Sequence, residues 1–287
     1  MKILVVGIAT VDIISEVACY PREDDEVRAE GLRLVRGGNG TNTLVVLSQL
    51  GHHGVWAGTL ADDLFASLIR EDLKQYHIDL SPVVLCAGSR SPVSCIVNSQ
   101  ASASRTIVHD RQLPEYEAKA FMALHIKHYD WIHFEGRNIT QTALMLRHAA
   151  SMGVLCSLEI EKDRPGIESL IALSGLVLFS KQYALCQGYT AATDFLLAYQ
   201  VEYPQKVMVC AWGADGAFGI EPGKAVVDCP SNPVDAVDTV GAGDVFNAAF
   251  IHAYQASFEL TSALAFACRL AERHCCQTGF VIDDICI

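Results

Sequence analysis

The chain has 287 residues, 33 Asp+Glu against 21 Lys+Arg for a formal net charge of −12, and 51% hydrophobic residues. That apolar share is ample for a core, and it excludes disorder, collagen and coiled coil, all of which need biased usage. The acidic balance weighs against a nucleic-acid or membrane-surface protein, either of which needs a basic face.

In chain order, Ile3–Ile8 is a continuous apolar run, as a strand buried on both faces requires. Gly7 and Asp12 interrupt the apolar N-terminus and no small-residue cleavage site follows, so it reads as a first strand and not as a leader. Asn42–Leu50 is helix-like and stops at Gly51, Gly54–Thr59 reads as a short strand, and Leu64–Tyr76 carries Leu64, Leu68, Ile69 and Leu73 on one helical face. Ser94–Val97 and Arg105–His109 alternate across a polar spacer and predict a hairpin. Tyr129–Phe134 predicts a strand, Thr140–Met152 a helix and Gly153–Ile160 a strand. Leu176–Ser180 and Lys206–Trp212 read as buried strands separated by a helical stretch, and the chain is helical and Ala-rich from Ala242. Strands alternating with helices imply a mainly parallel sheet covered on both faces, an α/β architecture. The segments about 14–35 and 83–109 break that rhythm and read as small antiparallel strands forming a lid. With no repeat or Pro/Ser-rich linker, the whole chain, 1–287, is expected to be one domain.

No stretch reaches the roughly 18 apolar residues of a membrane span. The 11 cysteines are scattered with no C-x-x-C, which fits reduced thiols in the cytoplasm better than a disulfide framework. His52-His53, and His125 with His128, lack further metal ligands at useful spacing and read as surface or packing residues. His133 and Glu135 share one strand face; lining a site and pairing in the core are both open.

In an open α/β sheet, ligands bind beyond the carboxyl ends of the strands. Asp12 lies past the first strand, where it can accept from two vicinal hydroxyls; a turn role is equally open. Arg36-Gly-Gly-Asn-Gly-Thr-Asn42 leads into a helix, and the Asn39 and Asn42 amides suit hydroxyls, though Asn and Thr are also ordinary helix caps. The sharpest signal is Asp238-Thr-Val-Gly-Ala-Gly-Asp-Val-Phe-Asn-Ala-Ala-Phe250. Its Gly-Ala-Gly turn opens a helix, so converging N–H groups and the helix dipole make an anion hole, and Asp244 sits at the same helix start. Phosphoryl transfer needs both charge stabilisation and a base on the attacking hydroxyl. A dinucleotide-binding G-x-G-x-x-G would need Gly at Phe246, and the P-loop pattern is absent.

Asp238–Phe250 resembles the C-terminal signature of the PfkB, or ribokinase-like, carbohydrate kinase family. YPREDDEVR at 20–28, RGGNGTN at 36–42, SASRTIVHDRQLP at 102–114, WIHFEGRN at 131–138, LFSK at 178–181 and VCAWGADGA at 209–217 resemble its ketohexokinase branch. The resemblance implies a ribokinase-like three-layer α/β/α sandwich with a small β-sheet lid. It also implies an ATP-dependent kinase acting on a ketohexose such as fructose, with Mg²⁺ and room for a K⁺ requirement, and a homodimer joined through the lid. The alternatives are a nucleoside or other-sugar kinase of the same fold, or a non-catalytic ligand-binding member. The resemblance makes Asp244 the catalytic base and Gly241, Ala242 and Gly243 the anion hole. It puts Asp12, Gly38, Asn39 and Asn42 on the sugar, with Asp24 reaching a partner's sugar site. Arg105, Lys181, Trp212, Gly213, Asp215 and Gly216 fall to ATP or its phosphates. Two departures stand out. Phe179-Ser-Lys-Gln182 replaces the usual Asn-x-x-Glu metal relay, leaving Glu161, with Glu159, to meet Mg²⁺ through water. Gly40-Thr41 replaces the Ala-Ser of the ketohexokinase branch.

Overall fold

The computed structural model describes residues 1–102 and 104–282, so Cys286 lies outside the described residues. The chain runs β1 (Lys2–Val6), β2 (Thr10–Val17), β3 (Gly31–Gly37), α1 (Asn39–Gln49), β4 (His53–Ala57), β5 (Thr59–Leu60), α2 (Leu64–Gln75), β6 (Val84–Leu85), β7 (Val93–Ser99) and β8 (Ser104–Asp110). It continues with α3 (Ala118–Met122), β9 (Trp131–Glu135), α4 (Ile139–Ser151), β10 (Leu155–Ile160), α5 (Glu168–Ile171), β11 (Leu176–Ser180), α6 (Lys181–Cys186) and α7 (Ala192–Glu202). The last elements are β12 (Val207–Ala211), β13 (Ala217–Ile220), β14 (Val227–Cys229), α8 (Ala242–Ser257) and α9 (Leu260–Cys275).

The main sheet has the order β14-β13-β12-β11-β10-β9-β1-β4. It is parallel from β4 to β12, and β13 and β14 return antiparallel at one edge. Side chains of a strand alternate between faces, so a two-faced burial needs every residue apolar. The first strand meets that need: Ile3 and Val5 enter one hydrophobic cluster with Leu44, Trp56, Val245, Phe250 and Leu264, while Leu4 and Val6 enter another with Phe134, Phe179 and Phe195. The helices α1, α8 and α9 supply the first cluster and α4, α6 and α7 the second, giving the expected three layers.

The lid is a four-stranded sheet of order β3-β2-β7-β8. Its central pair, β2 with β7, is parallel, where the sequence reading expected antiparallel strands throughout. Each of those strands belongs to its own hairpin, β2 with β3 and β7 with β8, and the two hairpins enter side by side. The lid strand β2 begins at Thr10, so Asp12 sits within the lid and not in a turn behind β1. Val84–Leu85, inside the segment assigned to the lid, pairs with Thr59–Leu60 instead. Asn39 and Asn42 occupy the first turn of α1, which starts three residues before the expected Asn42.

In the main sheet the chain steps from β1 to β4 on one side and later to β9 on the other. That reversal opens a crevice at the carboxyl ends of the strands. The lid covers it.

Candidate active site

The crevice is a cavity of about 1060 Å³. Its floor is the start of α8. Gly241, the residue before that helix, has φ 78°, and a Cβ there would lie 2.2 Å from the Phe280 ring, so the turn requires glycine. A Cβ on Gly243 would meet no atom within 4 Å, and Gly243 lines the cavity. Asp244, one residue further, is 6% exposed.

A hydrogen-bond chain holds that carboxylate. Arg36, 4% exposed and paired with Asp72, donates from Nη1 to Asn42 Oδ1 at 2.6 Å. Asn42 Nδ2 in turn donates to Asp244 Oδ2 at 2.7 Å. The guanidinium thus fixes which way the amide points, and the amide fixes the carboxylate. Burial pushes the Asp244 carboxyl well above its usual range; the Asn42 bond opposes this, Glu161 and Glu135 add to the rise, and Arg36 opposes it. A carboxyl raised in this way takes up a proton more readily than an ordinary one, which suits a general base.

Asn39 is locked differently. Its Nδ2 donates to Glu159 Oε1 and Glu161 Oε2, both at 3.1 Å, which leaves Oδ1 as an acceptor for a ligand. Glu159 is 6% exposed and its Oε2 is buried without a partner. Burial drives its carboxyl well above the usual range, and the charges of Asp244, Glu135 and Glu161 drive it the same way. Asp12 accepts from Thr10 Oγ1 at 2.9 Å and lines the same cavity. From the lid, Arg105 reaches across and donates from Nη1 to Thr239 Oγ1 at 3.1 Å.

Of the expected site residues, Asp12, Gly38, Asn39, Asn42, Arg105, Glu161, Gly213, Gly216, Gly241, Ala242, Gly243 and Asp244 all line this cavity. Four do not. Trp212 is buried, with Lys181 Nζ 5.2 Å from its ring centroid and 3.2 Å from Asp215 Oδ2, so these three form one cluster beside the cavity. Asp24 is exposed with φ 68° on the loop between β2 and β3, away from the cavity of its own chain. The structure adds Ser94, Ile96, Ile107 and His109 to the cavity wall. The period-two spacing of the two lid segments places each pair on one face, but only the pairing of β7 with β8 shows which face looks inward. Glu135, left open between wall and core, is buried behind the site, where it accepts from the Ile8 amide. His133 is a core residue bonded through Nδ1 to Ser157 Oγ at 2.8 Å.

Among the described residues, no group of three or more His, Cys, Asp or Glu side chains is arranged to hold a metal ion, and no helix is long and apolar enough to cross a membrane.

Comparison with known proteins gives the family and the fold. The pfkB family carbohydrate kinase profile matches residues 1–283. Ketohexokinase of Mus musculus is 35% identical over 290 residues, covering 97% of each chain. A fructokinase of Rhizobium leguminosarum bv. trifolii is 30% identical across 87% of this chain and 78% of its own. A nucleoside kinase of Methanothermobacter thermautotrophicus is also similar, at 22% over 98% of this chain and 89% of its own. The ribokinase of Arabidopsis thaliana, solved with ribose and ATP, superposes with a TM-score of 0.79 at 17% identity, covering 97% of this chain and 93% of its own. The fold is therefore ribokinase-like. The chain belongs to the pfkB family of carbohydrate kinases and is a phosphotransferase that acts on a sugar hydroxyl.

Proposed function

We propose that the protein transfers the γ-phosphoryl group of ATP to a hydroxyl of a ketohexose such as fructose. The observation that carries this is the placement of one buried carboxylate, Asp244, at the head of a helix whose first amides open into the same cavity as Asp12 and Asn39. The sugar lies beneath the lid, its hydroxyls held by Asp12, Asn39 Oδ1 and the Gly38 backbone. Asp244 takes the proton of the attacking hydroxyl, the oxygen forms its bond to the γ-phosphorus, and the bond to ADP breaks in line. The amides of Gly241, Ala242 and Gly243 hold the charge on the migrating group, and Arg105 meets it from the lid. Asn42 serves chiefly to hold Asp244, since both its polar atoms engage protein. ATP extends past Gly213 and Gly216; Lys181, Trp212 and Asp215 bound that end from outside the cavity wall.

Mg²⁺ supplies screening of the triphosphate when bound. Glu161, which lines the cavity, would meet that ion through water. Ten described free cysteines suit a reducing compartment, and we place the protein in the cytoplasm. The outer lid face exposes Leu32 and Val108 at 70% and 69%, which supports a homodimer formed lid to lid, with Asp24 entering the partner's cleft. The main sheet and its lid together constitute one kinase domain.

A second reading has its own support: Ile96 and Ile107 give the lid an apolar wall, as a nucleoside acceptor requires. An ADP-release assay across fructose, other sugars and nucleosides decides. Turnover highest with fructose, with phosphorus-coupled NMR giving the carbon phosphorylated, supports the proposal; turnover with nucleosides alone replaces it with the second reading. No ADP from any acceptor contradicts both.

A further inference from the structure

We infer that Arg33 of the lid is a positioning residue for the phosphate-binding turn. Through its ion pair with Asp238 it ties closure of the lid over the sugar to the shape of residues 239–243, so that acceptor and nucleotide strengthen each other's binding. The inference rests on the kinase reading of the same cavity.

The contacts form a continuous strut. Arg33 Nη2, on β3, lies 3.3 Å from Asp238 Oδ2 and 3.3 Å from Glu16 Oε1 on β2. Asn98 Nδ2, on β7, donates to that same Glu16 oxygen at 3.1 Å. Three lid strands therefore converge on one guanidinium. On the far side, the second oxygen of Asp238 accepts from the Val240 amide at 2.9 Å. One carboxylate is thus shared between the lid and the residue before Gly241. A second lid arginine, Arg105, grips the adjacent Thr239.

The opposite flank of the turn is held by α9. The Cys275 carbonyl accepts from the amides of Val237 and Asp238 at 2.7 and 3.2 Å, and His274 Nε2 bonds the Val240 carbonyl at 2.8 Å. Residues 237–241 form no helix or strand of their own. Their course depends on what grips them from each side, α9 on one and the lid on the other.

With the lid in place the Asp238 side chain is only 10% exposed and faces the Arg33 guanidinium, so lifting the lid takes away its cation and its cover together. The turn therefore differs in energy between lid-down and lid-up states. A ligand that holds the lid down favours the ordered turn, and an anion on the turn favours the lid-down state by the same factor.

The test uses the full chain, fructose, and a non-hydrolysable ATP analogue with Mg²⁺, by titration calorimetry. The wild type should bind fructose at least about fivefold more tightly with the analogue present. Arg33→Ala should bring that factor close to one. So should Asp238→Asn, which keeps an acceptor for the Val240 amide, and the double variant should lose nothing further. Arg33→Lys should recover part of the coupling. Hydrogen exchange on the unliganded chain gives a readout free of any substrate: amides at 239–243 should exchange several-fold faster in Arg33→Ala, with those of β9–β11 unchanged. A wild-type chain that binds neither probe overturns the kinase reading and this inference with it. Binding of both probes with a coupling factor near one, coupling that survives Arg33→Ala, or unaltered exchange at 239–243 overturns the strut alone.

Discussion

The two walls of the cavity are built from different materials. The α8 wall is backbone: a turn of glycine and alanine amides and one carboxylate, seated on a helix that packs Val245, Phe246, Ala249 and Phe250 into the main core. The lid wall is side chains on a sheet whose outer strand, β8, is exposed at every position. A backbone anion hole cannot be retuned by substitution without moving the fold, whereas lid side chains change one at a time. In the proposed mechanism the chemistry sits on the buried α8 wall and the acceptor is met by side chains of the exposed lid wall, where single substitutions are easiest to accommodate.

The largest expected effect is on the rigid wall. Asp244→Asn should fold, keep the Asn42 contact through its side-chain oxygen, and lose at least about a hundredfold in kcat. It should also melt at a higher temperature at neutral pH. Burial raises the folded carboxyl above its unfolded value, so the folded state holds the extra proton and stability falls as pH rises from about 4 through the folded pKa. For the same reason wild-type kcat/KM should rise with pH along an acid limb that lies above the ordinary carboxylate range, and Asp244→Asn should flatten that limb. A stopped-flow or coupled assay across pH checks both.

Next is Gly241→Ala. The left-handed φ costs on the order of 1–2 kcal/mol for a residue with a Cβ, and the Phe280 ring must move as well. Turnover should drop by at least about tenfold, as the loss of anion-hole donors does elsewhere. Melting curves and kcat read on the same sample separate the two costs.

On the lid wall, Val108→Lys should leave kcat within about twofold in any surviving dimer and shift the chain toward monomer, because a surface charge opposes burial of that face. Light scattering after sizing chromatography reads the mass.

The smallest effect lies away from the cavity. Burial, the charge of His252 and the N-terminal amine lower His52 to about 4, and the two rings bond at 2.9 Å. The folded state therefore takes up its proton later than the unfolded chain does, and stability is lost as pH falls from about 6.5 toward 4. His52→Gln should remove on the order of 1 kcal/mol of that acid loss after solvent screening, seen as a shallower fall of urea stability with pH.

What the sequence discloses follows the same division. The α8 wall was legible because its amides and its carboxylate are contiguous: one short motif holds the whole device. Asp12 was legible as a carboxylate following the first strand, and Asn39 and Asn42 as amides in a glycine-rich run that opens a helix. The Arg36–Asn42–Asp244 chain was not, since it joins residues 36, 42 and 244, and no spacing rule spans that gap. Burial of Glu159 was equally hidden, because a carboxylate at a strand end is usually solvated. Lys181, Trp212 and Asp215 came from resemblance alone; they do meet one another, yet stand outside the cavity. The strands β13 and β14 went unread because four and three residues carry too little alternation to stand out. The parallel pairing of β2 with β7 depends on how two distant hairpins dock.

The most direct test of the central claim is a crystal structure of the full chain with fructose, Mg²⁺ and a non-hydrolysable ATP analogue. The account predicts the terminal phosphorus at the amides of Gly241–Gly243, with one sugar hydroxyl in hydrogen-bond reach of Asp244 and pointing at that phosphorus. A terminal phosphate bound elsewhere in the cavity, or a sugar whose hydroxyls all face away from Asp244, would contradict it.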